Sequence, residues 1–171
     1  GCLKAGISPR TEVDLSALRA LGSTGSPLSE DAYNWIYTQV KEDVWLAPIS
    51  GGTDLAGAFV LGHPGMPVRA GEMQCRALGN AVRAYDEEGT ELISAVGELV
   101  CTQPLPSMPL YFWGDDDGSR LHDAYFDTYP GVWRHGDWIE INARGGSVIF
   151  GRSDATINRK GLRMGSAEIY Q

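Results

Sequence analysis

Basic residues are scarce in this sequence. Lysine and arginine total 14 against 22 aspartates and glutamates, a formal net charge of -8, and the sequence pI is near 4.8. Nucleic acids are bound by clustered cations that replace phosphate counterions, so this balance argues against a nucleic-acid partner. Cysteine is sparse too. Cys2, Cys75 and Cys101 are odd in number, far apart and in no Cys-x-x-Cys arrangement, which predicts neither a disulfide framework nor a zinc site. That usage fits a reducing compartment, and the expected location is cytoplasmic. His63, His122 and His135 lack the paired spacing that suits a transition metal. No apolar run approaches the roughly 20 residues that cross a bilayer, and no charged, apolar and small-residue regions in series mark a signal peptide. Repeats and low-complexity segments are missing, and the 22 glycines are scattered rather than periodic.

What is present is a chain of 171 residues with 43% hydrophobic content, enough to bury a substantial core. Leu15 to Gly22 predicts a strand, followed by the turn formers Ser23 to Pro27. Ala32, Trp35, Ile36 and Val40 recur at helical spacing after Ser29, with Glu30 and Asp31 in the first turn, and predict a helix of about three turns. Val44 to Ala47 reads as a strand buried on both faces that runs into a loop, Ser50-Gly51-Gly52-Thr53-Asp54. Strand, loop, helix, strand and loop in that order is α/β grammar. After Pro67 short strand-like runs alternate with turns such as Asp86 to Gly89 and Ala143 to Gly146, so the second part is β-rich. A third section begins near Gly151. Both ends are expected to be cut from a longer chain: there is no initial Met, and Ser166 resembles a helix N-cap with no room for the helix to continue.

Three stretches carry residues suited to chemistry. Ser50 to Asp54 follows a buried strand, where loops of open α/β sheets bind ligands. Glycine lets backbone approach a phosphate, a threonine hydroxyl can donate to one, and a carboxylate can hold magnesium, yet the same residues also make an ordinary glycine loop. In Trp133-Arg134-His135-Gly136-Asp137-Trp138 one acid lies among strand formers. Its two oxygens match the two hydroxyls of a ribose, or it caps a turn. Gly151-Arg152-Ser153-Asp154, with Gly161, Arg163 and Glu168, adds two guanidiniums suited to phosphate oxygens, or forms a solvated basic turn. Asp115-Asp116-Asp117-Gly118 lacks the alternating ligand spacing of a calcium loop and reads as a solvated turn; Trp113, Tyr125 and Phe126 read as packing residues.

Taken in order, these stretches resemble the adenylate-forming superfamily of acyl-CoA synthetases, luciferases and peptide-synthetase adenylation domains. Gly25-Ser26-Pro27-Leu28 looks like the family's adenine-contacting loop, and Ser50 to Asp54 like its aromatic-glycine-x-Thr-Glu motif. The resemblance implies nucleotide contacts from Gly25, Ser26, Pro27, Gly51, Gly52 and Thr53, with Thr53 at the α-phosphate and Asp54 serving the magnesium ion. Gly97-Glu98-Leu99 matches a family strand that reads as structural. His135-Gly136-Asp137 resembles the Thr-Gly-Asp motif, which implies Asp137 on the ribose, and Gly151 to Asp154 with Gly161, Arg163 and Glu168 resembles the hinge signature. That implies Arg152 on ribose or phosphate, Asp154 as the hinge and Arg163 on a phosphate.

Longer stretches, including Tyr129 to Asp137 and Ser153 to Asn158, look like the branch that activates acetoacetate rather than acetate. Acetate-activating relatives carry a bulky Trp at the position aligned with Gly51, and a glycine there is expected to leave room for a longer acyl chain. The implied function is an ATP- and magnesium-dependent acetoacetate-CoA ligase with coenzyme A as co-substrate. Another short-chain acyl-CoA synthetase, or a non-catalytic adenylate-binding module, is the alternative. The implied phosphate loop lies upstream of residue 1 and the catalytic lysine downstream of Gln171; Lys160 is not at its position. By the same resemblance, residues 1-66 end an α/β subdomain, 67-153 form a β-rich subdomain, and 154-171 are the hinge and start of a small α+β domain. Three departures stand out: Asp54 for the usual Glu, Ser50 for an aromatic residue, and His135 for Thr, whose titratable ring beside Asp137 is expected to affect ribose binding near its own pKa.

Overall fold

A computed structural model describes residues 2–154, 157–159 and 162–164. A single helical turn, α1 (Pro9–Glu12), precedes β1 (Ala20–Ser23), which is shorter than expected because residues 15–18 form a turn. Helix α2 (Glu30–Trp35) is capped by Ser29, whose hydroxyl accepts the Ala32 amide at 3.3 Å. It continues as a wider π-helical turn over Ile36–Val40, so the predicted three turns are present. Strand β2 (Trp45–Pro48) pairs in parallel with β1 from Ala20↔Trp45 to Ser23↔Pro48. Leu46 and Pro48 are buried while Trp45 and Ala47 are half-buried, so β2 hides one face rather than two. Tyr33, Ile36, Val40, Val44 and Leu46 make the first core, with Val68 packed against it.

The expected glycine loop after β2 is in part a strand. β3 (Ser50–Gly52) pairs antiparallel with β4 (Gly57–Leu61), and β4 pairs with β5 (Cys75–Arg76). The rest is an antiparallel sheet made of β6 (Val82–Tyr85), β7 (Glu91–Leu92), β8 (Val96–Cys101), β9 (Trp133–Ile141) and β10 (Ser147–Arg152), in the order β10-β9-β8-β6-β7. Helix α3 (Ser119–Tyr125) lies in the connection between β8 and β9. Leu55, Phe59 and Val60 from the β3–β4 hairpin join Val82, Leu99, Trp133, Ile139 and Ile141 in the second core, so the hairpin is docked on the sheet. Burying these side chains stabilises the docking by about 1.5–3 kcal/mol for each large aliphatic or aromatic group. The first core is tied on through the Tyr33 hydroxyl, which donates to the Glu72 carbonyl at 2.7 Å.

Asp115 is buried rather than solvated. Its two carboxylate oxygens accept the Arg120 and Leu121 amides at 3.0 Å each and satisfy the open start of α3. Beyond β10, strands β11 (Ile157–Arg159) and β12 (Leu162–Met164) form an antiparallel pair. No helix among the described residues is long and apolar enough to cross a membrane.

Candidate functional site

The β3–β4 hairpin carries Thr53 and Asp54 at its tip, both exposed. The Thr53 carbonyl accepts the Ala56 amide at 3.0 Å, and Ala56 has φ +53, so the tip is a tight turn pinned by the buried Leu55. Opposite this tip stand the start of β9, the end of β10 and the last turn of α3. Between them lies a cleft of about 540 Å³ lined by Gly51 to Leu55, Ala124, Tyr125, Trp133 to Gly136, Arg152 and Asp154.

Arg152 is the charged centre of the cleft. Its guanidinium holds Asp154 in a bidentate pair, with Nε to Oδ1 at 2.9 Å and Nη2 to Oδ2, and Nη1 lies 3.6 Å from Asp137 Oδ1. The Asp154 hydrogen bonds raise the Arg152 pKa, and Arg152 in turn holds the Asp154 carboxyl below the usual carboxylate range. Asp137 is pushed the other way, up to about 6, because burial outweighs the nearby Arg152.

His135 is buried between Phe59, whose ring meets it edge-on with centroids 4.6 Å apart, and Gly52. Nε2 lies 3.3 Å from the Gly51 carbonyl, which assigns the proton of the neutral ring to that nitrogen, and 3.6 Å from Asp137 Oδ2. Burial, reinforced by Arg152, lowers its pKa to about 4. The ring is therefore neutral at physiological pH, and the expected titration beside Asp137 falls well below that range.

Gly51 and Gly52 are glycines for different reasons than an open acyl pocket. A Cβ on Gly51 would lie 2.0 Å from the Gly57 carbonyl oxygen and 2.7 Å from Ala58 Cα, so the bare Cα faces the backbone of β4. The missing side chain therefore opens no room in that direction, where the expectation put space for a longer acyl chain. A Cβ on Gly52 would lie 2.7 Å from His135 Cε1, which means that the imidazole occupies the space a side chain would fill.

One wall was missed by sequence reasoning. Tyr125 stacks on Trp133 with ring centroids 3.6 Å apart and donates its hydroxyl to Asp54 Oδ2. Burial, followed by that hydrogen bond, pushes the phenol up to about 12, so it stays protonated and donating. Asp54 and Tyr125 are 71 positions apart, and only the stacking of α3 on β9 brings them together. Trp113, read as packing, is 92% exposed.

The structure thus gathers Gly51, Gly52, Thr53, Asp54, Arg152 and Asp154 at one cleft, with Asp137 on Arg152 behind the wall. Gly25, Ser26 and Pro27 do not line it. They follow β1 as Ser50 follows β2, at the same end of the parallel pair, where the Ile49 amide donates to the Ser23 carbonyl at 2.9 Å. The backbone of Arg163 on β12 pairs with Asn158 on β11, but its side chain, like Gly161 and Glu168, lies outside what is described.

No protein-family model matches this chain. Acetoacetyl-coenzyme A synthetase of Rhizobium meliloti (strain 1021) is 52% identical over 167 residues, covering 98% of this chain and 26% of that protein. The chain matches one quarter of an acetoacetyl-CoA synthetase. A solved acetoacetyl-CoA synthetase from Streptomyces lividans agrees in structure, with a TM-score of 0.87 at 51% identity over 99% of this chain and 26% of that one. The crystal structure of the anthranilate CoA ligase AuaEII in complex with anthranoyl-AMP has a TM-score of 0.73 at 20% identity, over 93% of this chain and 29% of that one, a likeness of fold. The fold is that of the corresponding part of the adenylate-forming ligases.

Proposed function

We propose that this chain forms the nucleotide-facing part of an ATP-dependent acetoacetate-CoA ligase. The observation that carries the reading is the meeting of Arg152, Asp137 and Asp154 across a cleft from the Thr53-Asp54 tip. In this reading the Asp137 carboxylate accepts the ribose hydroxyls, Arg152 and Thr53 hold phosphate oxygens, and Asp154 is the swivel of a following domain. Gly25 to Pro27 contact the adenine, and Arg163 supplies a second phosphate contact. The residue blocks 1-66, 67-153 and 154-171 are then the end of an α/β subdomain, a β-rich subdomain and the start of a small domain.

Magnesium binds through one or two carboxylates together with substrate phosphates, and Asp54, an exposed carboxylate on the cleft, fits that requirement. When bound there the ion would neutralise phosphate charge. The reaction has two steps. An acetoacetate carboxylate oxygen attacks the α-phosphorus as the bond to pyrophosphate breaks, and the sulfur of coenzyme A then attacks the acyl carbon, loses its proton to solvent and expels AMP. Residues of this chain act in the first step by orienting the nucleotide and balancing charge that builds on phosphate oxygens; none is a nucleophile.

The test is acid-dependent pyrophosphate release by the full-length protein with ATP and magnesium, comparing acetoacetate, acetate, propionate and butyrate. Preference for acetoacetate is expected. Preference for another acid would assign a different short-chain acyl-CoA synthetase, and silence with all four would leave an adenylate-binding module.

A further inference from the structure

We propose that Glu98, in a strand that reads from the sequence as structural, is a positioning residue of the nucleotide site: its buried carboxylate ties the segment presenting Asp137 to the segment presenting Arg152. The proposal rests on the ATP-site reading above. Glu98 lies on β8 and is 5% exposed. Its Oε1 accepts two hydrogen bonds, from the Gly136 amide at 2.9 Å and from the Ser153 hydroxyl at 2.9 Å, and its Oε2 is 3.2 Å from Arg134 Nε. Two further bonds close the network: Arg134 Nη2 donates to the Ser153 hydroxyl at 3.3 Å, and the Ser153 amide donates to the Gly136 carbonyl at 2.8 Å. Gly136 immediately precedes Asp137, and Ser153 sits between Arg152 and Asp154.

The carboxylate is needed because the sheet is broken here. The β8–β9 register shifts between Glu98 and Val100, which face Trp138 and Arg134, so the intervening part of β9 runs past β8 out of step. On the other side of β9 the register with β10 shifts between Ile149 and Gly151. Gly136 itself has φ +84 and leaves extended geometry. An irregular strand leaves amides without ladder partners and re-aims side chains, and at this point Glu98 supplies the missing acceptor from its side chain. A buried carboxylate with a guanidinium partner is a weak source of stability compared with a well-packed apolar residue. Its use here is geometric: one group fixes both approaches to Arg152 and Asp137, and does so without entering the cleft.

The experiment measures initial rates of ATP-pyrophosphate exchange in the full-length protein for Glu98→Ala, Glu98→Gln, Ser153→Ala and Asp137→Ala, with thermal unfolding of each. The expected result for Glu98→Ala is a rise of about tenfold or more in KM for ATP, with KM for the acid within about twofold of the parent, as loss of an oriented charge-assisted contact predicts. Glu98→Gln keeps a carbonyl for the Gly136 amide and is expected to recover more than half of the loss on a logarithmic scale. Unchanged KM for ATP in Glu98→Ala, with only a lower unfolding temperature or less active protein, would overturn the proposal. If Glu98→Ala does not fold, Ser153→Ala decides: a two- to fivefold rise in KM for ATP supports the tie, and an unchanged value overturns it. Asp137→Ala separates the two readings. If it leaves ATP affinity intact, the ribose reading and the tie both fail; if it weakens ATP binding while the Glu98 variants do not, the tie alone fails.

Discussion

Asp137 and His135 depart from their ordinary pKa values in opposite senses for one reason, burial. Each prefers its neutral form, and the consequences for stability run against each other. Burial raises the Asp137 pKa to about 6 in the folded state from an ordinary 3.8, so between these limits the folded state binds the proton more readily, and stability from this group is present at low pH and lost as pH rises through about 6. His135 titrates near 4 folded against 6.5, so its contribution is present above 6.5 and lost as pH falls toward 4. Over the shared window the two slopes cancel. Replacing Asp137 by Asn is expected to stabilise the nucleotide-free full-length protein more at pH 7 than at pH 4.5, by on the order of 3 kcal/mol at most, read from unfolding at each pH; an equal change at both pH values would contradict the raised pKa. If Asp137 holds the ribose as proposed, the carboxylate is the form that accepts its hydroxyls, so ATP affinity is expected to fall as pH drops below 6, and titration calorimetry across that range checks it. Sequence reasoning singled out Asp137 because an acid among strand formers needs donors. It could not place the His135 pKa, since the depth that keeps the imidazole neutral comes from Phe59 and Gly52, which the local sequence does not reveal.

Among the elements, the β3–β4 hairpin is the most exacting. Gly51→Ala would drive a Cβ into the Gly57 carbonyl, a backbone atom that moves only with the strand. A loss of roughly 1–3 kcal/mol or more is expected, seen as a lower unfolding temperature. Gly52→Ala meets the edge of a side chain instead, so a smaller loss is expected, together with displacement of His135 visible in its NMR titration. Tyr125→Phe removes the hydroxyl from Asp54 and keeps the stack on Trp133; unfolding is expected to change by less than about 1.5 kcal/mol, while the magnesium concentration that half-saturates activity rises. The amphipathic spacing after Ser29 made α2 and its π-helical end legible, and apolar continuity made β2 legible. β3 was hidden because two glycines in three residues read as loop, when it is close approach to β4 that requires them. Tyr125 was hidden because its partnership depends on the docking of α3, which no local pattern encodes.

At the scale of the molecule, the described residues form two cores, the polar cleft lies on the elements of the second, and the chain spans about a quarter of the length of the curated relatives it matches. The 171-residue chain alone is expected to form no acetoacetyl-CoA from ATP, acetoacetate and coenzyme A, and thioester detected by mass spectrometry would refute this. Resemblance in motif order made the general fold and much of the cleft readable, while the assignment of space to an acyl group depended on side-chain direction and did not survive. One further consequence attaches to the bidentate pair of Arg152 and Asp154. Asp154 occupies the Nε and Nη2 edge of the guanidinium while Nη1 faces Asp137, so a phosphate that took the Nε and Nη2 edge would displace Asp154. Nucleotide entry by that edge would be an exchange of anions at one cation, and filling the cleft would then unlatch the proposed swivel residue itself.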